Sequence, residues 1–379
     1  MDTVQRVCAL PGCGARVAQA ENRSARLYCT PEHRAAARRL RSAHARRGRD
    51  GGPGDGGTPA RGHPPDRSTG PPDRTTAELS HDSLVRPAGG RAPSVLPAAR
   101  PLGDWLDRDP GQDAESRRAE LRERVAVPVR GPVRVAVLSV KGGVGKTTVA
   151  AGLGLTLAEH RGDRIAALDV APDPGTLAER LTGSVPGARE QLAGRARVET
   201  FGELVAASGT SGRLTVIGST DEADDVGFGV EDYRRVDAHL ARFFDVVVAD
   251  CGPSVRHGAA SAAAAAADAV VVVGSFAVDD ASRASTTLRW LADSGTTDRP
   301  GDALVVLTCD RRPDVSAELV RSHFARRARG PLEISYDPHL RSGGPIEYER
   351  LAESTRDRFL ELAAHVLEVA RSRTGGSSG

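Results

Sequence analysis

The chain changes texture near residue 113. From there to about 372, short runs of Val, Ala and Leu alternate with longer stretches that mix apolar and polar positions. Six runs predict strands: 133-VRVAVLSV-140, 164-RIAALDV-170, 213-RLTVIGS-219, 244-FDVVVAD-250, 269-AVVVVGS-275 and 303-ALVVLTC-309. They are nearly continuous in apolar residues rather than alternating, the pattern of strands covered on both faces of a parallel sheet. Between them, 146-KTTVAAGLGLTLAEH-160 and 279-DDASRASTTLRWLADS-294 read as helices. Further helices are predicted at 113-DAESRRAELRERV-125 and at about 347–372, where Leu351, Leu360, Ala363, Leu367 and Ala370 recur at helical spacing. Strand and helix in alternation predict an α/β fold, a doubly wound and mostly parallel sheet.

Residues before 113 follow a different pattern. The stretch 51-GGPGDGGTPARGHPPDRSTGPPDRTT-76 typifies 48–112, which is dominated by Gly, Pro, Asp, Ser and Arg. It has too little apolar surface to offset the entropy of ordering and is expected to be a disordered linker. Trp105, flanked by leucines in 102-LGDWLDRD-109, either docks or is a chance aromatic. Residues 1–47 form a small Cys/Arg-rich module, 113–372 the folded α/β domain, and 373-RTGGSSG-379 a flexible polar tail.

Charge and cysteine usage narrow the class. The net charge is only +2, but 34-RAAARRLRSAHARRGR-49 makes a local basic patch. There is no run of about 18 apolar residues for a membrane helix and no apolar signal-peptide core, so a cytoplasmic location is expected. Of the five cysteines, Cys251 and Cys309 lie in apolar runs and read as reduced core residues. A disulfide framework is not expected in such a chain.

The other three cysteines suggest a metal. Cys8 and Cys13 are followed after fifteen residues by 29-CTPEH-33, giving C-x4-C and C-x3-H. Three thiolates and the His33 imidazole at these spacings can close a tetrahedral Zn²⁺ site. A module of about 35 residues has too small a core to fold alone, so the metal would supply much of its stability. The competing reading is a disordered tail with incidental cysteines. The helix predicted after His33 is basic around most of its surface and suits non-specific contact with a nucleic-acid backbone. A solvated arginine run, or a contact for an acidic protein, is the alternative.

The segment 139-SVKGGVGKTTVA-150 carries the strongest chemical signal. It follows a predicted strand and opens a predicted helix, the context a phosphate-binding loop requires. Gly142, Gly143, Val144 and Gly145 would bring backbone N–H groups to phosphate oxygens at a helix N-terminus. Lys146 would reach the β- and γ-phosphates, and Thr147, followed by Thr148, would ligate Mg²⁺.

Such a loop needs one lysine, and this one has a second, Lys141. The pattern K-G-G-x-G-K-T-T resembles the deviant Walker A motif of the ParA/MinD ATPases. The resemblance implies ATP and Mg²⁺ as ligands and a homodimer formed when ATP is bound, with Lys141 reaching the phosphates of the partner subunit. Two further segments are similar to the family pattern. The resemblance implies that Asp250, ending 244-FDVVVAD-250, holds Mg²⁺ through water and that Asp169, ending 164-RIAALD-169, lies near the metal; 304-LVVLTCD-310 is similar to the strand that reaches the base. The segments 336-YDPHLRSGG-344 and 288-LRWLADSG-295 are similar to those of actinobacterial MinD-like proteins, some associated with type VII secretion. The implied partners are DNA, a protein cargo or a secretion complex.

One departure matters. The family usually reads D-x-D after this second strand, and the second carboxylate helps orient the attacking water. Here the segment is Asp169-Val170-Ala171, and an alanine side chain accepts no hydrogen bond. Slow or partner-dependent hydrolysis is expected, since such roles contribute roughly 10²–10⁴-fold. Asp173, between Pro172 and Pro174, is a candidate substitute. An ATP-binding, hydrolysis-deficient adaptor or a regulatory DNA-binding protein is the alternative function. An iron–sulfur relative is disfavoured because Cys251 and Cys309 form no C-x-x-C pair, and the polar tail offers no amphipathic membrane tip.

Overall fold

The computed structural model describes residues 6–7, 13, 15–17, 113–171, 175–184, 187–220, 227–253, 255, 258–295, 300–309 and 317–374. Contacts divide the chain into two units, 1–74 and 75–379. In the first, β1 (Arg6–Val7) pairs antiparallel with β2 (Arg16–Val17). The linker expected over 48–112, Trp105, and Cys8, Cys29 and His33 of the cysteine module lie outside the described residues.

In the second unit the order is α1 (Asp113–Ala126), β3 (Val133–Leu138), α2 (Lys146–His160), β4 (Ile165–Asp169), α3 (Leu177–Thr182), α4 (Ala188–Ala193), α5 (Phe201–Ala207), β5 (Gly209–Ser211) and β6 (Leu214–Ile217). Then come α6 (Val230–Leu240), β7 (Val246–Asp250), α7 (Gly258–Ala266), β8 (Ala269–Ser275), α8 (Val278–Asp293), β9 (Leu304–Thr308), α9 (Ala317–Ala325), β10 (Arg329–Ile334), α10 (Pro338–Arg341) and α11 (Glu353–Thr374). The strands form one sheet in the order β10-β9-β8-β3-β7-β4-β6-β5, parallel throughout except for β5 against β6. From central β3 the chain first winds one way to β4 and β6, and β8 to β10 later lie on the other side. Ligands of open α/β sheets bind at such a switch point, outside the carboxyl ends of the strands.

Alternate residues of the central strands feed two cores. In β3, Val133, Val135 and Val137 join Leu153, Leu157, Phe359 and Leu367 on one face. Ala136 and Leu138 join Val236, Leu240, Ala263 and Leu288 on the other. Helix α1 is pinned to α11 by the buried Leu121 and Val125 and by a ladder of ion pairs. Arg117 meets Glu361 at 3.1 Å, Arg118 meets Asp357 at 2.7 Å, and Arg124 meets Glu368 at 2.8 Å.

The last helix starts later than its spacing predicts. Residues Tyr348–Arg350 form a 3-10 turn and Leu351 is extended, with φ −64° and ψ 140°. The carboxylate of buried Asp337 accepts from the Ala352 amide at 2.9 Å, and also accepts from His339 and Leu340 to cap α10. That bond takes up the chain just before α11, while Leu351 still reaches the core. The edge strands β5 and β10 escaped prediction because both are only half-buried and mixed in polarity.

Candidate nucleotide site

The carboxyl ends of β3, β4, β7, β8 and β9 line the site. β3 runs into Ser139 and the glycine loop, which closes at Gly145 before α2 begins at Lys146. Gly145 has φ +90°, and a Cβ there would stand 3.1 Å from Thr308 Cγ2 at the end of β9. The Thr308 hydroxyl donates to the Val144 carbonyl at 3.0 Å, tying the loop to β9. Gly145 offers no side chain to cap α2, and the first turn has no acidic residue. The amides there suit an anion, as the helix dipole does. Gly142 and Gly143 face open space.

Lys141 and Lys146 are the only lysines in the chain, and both sit in this loop. Their surroundings differ. Lys146 is 7% exposed and donates from Nζ to the Lys141 carbonyl at 2.8 Å. Burial lowers its pKa, partly opposed by Asp250. Lys141 is partly exposed, and its Nζ pairs with Asp279 at 2.7 Å and with Asp280 at the start of α8. Burial alone would lower its pKa, but the two carboxylates outweigh that and raise it. Asp280 also accepts from the Ser275 hydroxyl at the end of β8.

Asp169 and Asp250 end adjacent parallel strands in direct register, and both are buried. Burial, then repulsion between the two, pushes Asp250 up to about 7; burial pushes Asp169 up to about 6. The Thr147 hydroxyl lies beside Asp250 and opposes that rise. Two buried carboxylates side by side cannot both ionise without a cation. This donor set, a hydroxyl and hard carboxylate oxygens beside a phosphate loop, fits Mg²⁺. Thr147 and Asp250 would hold the ion, which would neutralise charge on bound phosphates. Among the described residues, no cluster of three or more His, Cys, Asp or Glu side chains stands ready for a metal. Of the proposed zinc ligands only Cys13 is described.

Around Asp169 are groups that the sequence did not mark. Its Oδ1 accepts from the Ala171 amide at 3.0 Å, its Oδ2 accepts from the Ser219 hydroxyl at 3.3 Å, and Arg189 lies 3.7 Å from Oδ1. Arg189 is one of many arginines, so nothing in the sequence singled it out; Asp279 and Asp280 were visible only as acidic residues opening a helix. Asp173, the candidate substitute for the missing carboxylate, lies outside the described residues, as does Asp310.

Residues 135–371 match the family described as the CobQ/CobB/MinD/ParA nucleotide binding domain. The chain belongs to that family. Its relatives include the ESX-1 secretion-associated protein EspI of Mycobacterium tuberculosis, 30% identical over 251 residues. That match takes in 65% of this chain and 38% of EspI, so the chain spans well under half of that relative's length. Similar solved structures include the cell division ATPase MinD of Pyrococcus furiosus, at 20% identity and TM-score 0.49, covering 62% of this chain and 99% of that one. Another is MinD of Pyrococcus horikoshii complexed with Mg-ADP, at 18% identity and TM-score 0.46, covering 64% and 98%. Within this family, helix α1 and everything before it lie outside the matched segment. No helix of the described residues is long and apolar enough to cross a membrane.

Proposed function

We propose that this chain is an ATP-dependent dimerising switch of the ParA/MinD type that positions a macromolecular partner. The observation that carries the reading is the division between the two lysines. Lys146 is buried over the loop, where it serves bound phosphate in its own subunit. Lys141 is held at the surface by Asp279 and Asp280, a contact that it can exchange for phosphates of a second copy. A cation supplied in trans stabilises phosphate only when two loaded subunits meet, so ATP acts as the dimerisation signal. The secretion association in the name of EspI supports a secretion complex as partner. The Cys8, Cys13, Cys29 and His33 set would be a zinc-held arm, and the basic segment after it would reach DNA or protein.

Hydrolysis is slow in this reading, because Ala171 supplies no carboxylate for water. A hydrolysis-deficient adaptor is the second reading, and the same residue favours it. One experiment addresses both: sedimentation and turnover of the purified, zinc-quantified protein with ATP·Mg²⁺ and with ADP·Mg²⁺, beside Lys141→Ala and Ala171→Asp. The expected result is a dimer with ATP only, lost in Lys141→Ala, with turnover raised by roughly tenfold or more in Ala171→Asp. A monomer under every nucleotide condition overturns the switch; a dimer that never turns over, even with a carboxylate restored, selects the adaptor.

A further inference from the structure

Arg189 is the most deeply buried cation near the site that the nucleotide loop does not itself account for. Its side chain is 3% exposed, and a buried guanidinium is tolerated only when paired and fully hydrogen-bonded. It stands in the first turn of α4, where its own amide is bonded to the Gly218 carbonyl at 3.0 Å. Its Nε and Nη2 fork onto Glu190 Oε1, at 2.9 and 2.6 Å, and Glu190 Oε2 accepts from the Thr220 amide at 3.0 Å. Its guanidinium also lies 4.3 Å from the centre of the Phe228 ring. Glu190 therefore neutralises one side of the arginine, and the ring and the Thr220 segment hold it still.

The remaining donor is spent on the strand end that carries Asp169. Nη1 donates to the Ala171 carbonyl at 2.6 Å and to the Asp169 carbonyl at 3.2 Å, and lies 3.7 Å from Asp169 Oδ1. The same carboxylate is hemmed in from the other side. Gly175 donates its amide to Ser219 Oγ at 2.8 Å, and a Cβ at Gly175 would fall 1.8 Å from Asp169 Oδ2. The backbone from 169 to 171 and the carboxylate on it are thus held from both flanks, with Asp169 in register beside Asp250.

We propose that Arg189 is a positioning residue for divalent-cation binding: by gripping the Asp169 and Ala171 carbonyls it fixes the Asp169 segment in register beside Asp250, where Thr147 and Asp250 would hold the cation. The proposal rests on the Mg²⁺–nucleotide part of the reading above and not on dimerisation. Arg189 contacts the Asp169 segment and would act through Asp169. A guanidinium is needed because one planar group must serve two carbonyls on one edge and Glu190 on another, which an ammonium cannot match.

The test uses the full chain and measures ADP affinity by calorimetry with and without Mg²⁺, reading the ratio of the two. Arg189→Met is expected to cut the Mg²⁺ enhancement about tenfold, as losing an outer partner of a metal ligand typically does, and to leave ADP affinity without Mg²⁺ unchanged. Arg189→Lys should fall between the two proteins. Should Arg189→Met fail to fold, Arg189→Lys decides alone, by a reduced enhancement. An enhancement equal to wild type in the folded variants, or equal weakening with and without Mg²⁺, overturns the positioning role and leaves Arg189 a structural clamp. No Mg²⁺ enhancement in the wild-type protein would instead overturn the nucleotide reading on which this one stands.

Discussion

Two charge clusters flank one loop and are built differently. On one side, Lys141 meets Asp279 and Asp280 where solvent reaches all three to differing degrees; the Asp279 side chain is 65% exposed and that of Asp280 15%. On the other, Lys146, Asp250, Asp169 and Arg189 are all less than a tenth exposed. Exposed ion pairs are worth little, about 0–1 kcal/mol, and exchange partners readily. Buried charges are costly to leave unbalanced. The Lys141–Asp279 contact is of the exposed kind, whereas the Asp280 oxygen that meets Lys141 is buried and holds the lysine more firmly. The other cluster is fixed, and its two adjacent carboxylates are already partly balanced by Lys146 and Arg189.

The largest effect is expected on the buried side. In the proposed reading Lys146→Ala removes a charged donor to phosphate, and hydrogen bonds to charged groups are worth about 1.5–3 kcal/mol, so ATP affinity should fall roughly 10- to 100-fold. Calorimetry checks this; an affinity equal to wild type would mean that the loop does not hold phosphate through Lys146.

An intermediate effect is expected on the exposed side. With Asp279→Asn and Asp280→Asn combined, Lys141 loses both groups that raise its pKa, and each unit of fall makes the reactive free amine about tenfold more abundant at neutral pH. Amine labelling followed by mass spectrometry reads Lys141 against Lys146, the one internal reference. Unchanged Lys141 labelling would mean that the lysine is held by something other than these two carboxylates.

The smallest effect concerns pH. Asp169 and Asp250 are raised from the usual carboxylate value to about 6 and about 7, chiefly by burial. Between about pH 4 and pH 7 the folded chain therefore binds more protons than the unfolded chain, and this contribution to stability is lost as pH rises through that window. Asp250→Asn mimics the uncharged form. Without Mg²⁺ or nucleotide, its melting temperature should gain on wild type from pH 5 to pH 8, by on the order of a few degrees. A constant difference across that range would show that the pair is not strained by charge.

Legibility followed burial. The six apolar runs became β3, β4, β6, β7, β8 and β9, because a strand covered on both faces must be apolar at every position. The edge strands and the short helices α3, α4, α5 and α10 lack that requirement and left no comparable signal. The late start of α11 was invisible because the group responsible, Asp337, acts fifteen residues away in sequence. In the site, Lys146 and Thr147 stood out because loop spacing is a local feature, and Lys141, Asp169 and Asp250 through the resemblance to the ParA/MinD pattern. Arg189, Ser219 and the Asp279–Asp280 pair did not, because their meaning is the partner they touch.

By itself, then, the sequence determined the doubly wound sheet and the glycine-rich loop between strand and helix. Each depends on periodicity or on spacing within a few residues, and local sterics and burial act over that range. Only the tertiary structure decided which acids hold Lys141, which arginine grips the Asp169 segment, and that Asp169 and Asp250 stand in register. Those facts are set by strand order and crossover, which bring together residues 20 to 140 positions apart with no trace in the local pattern.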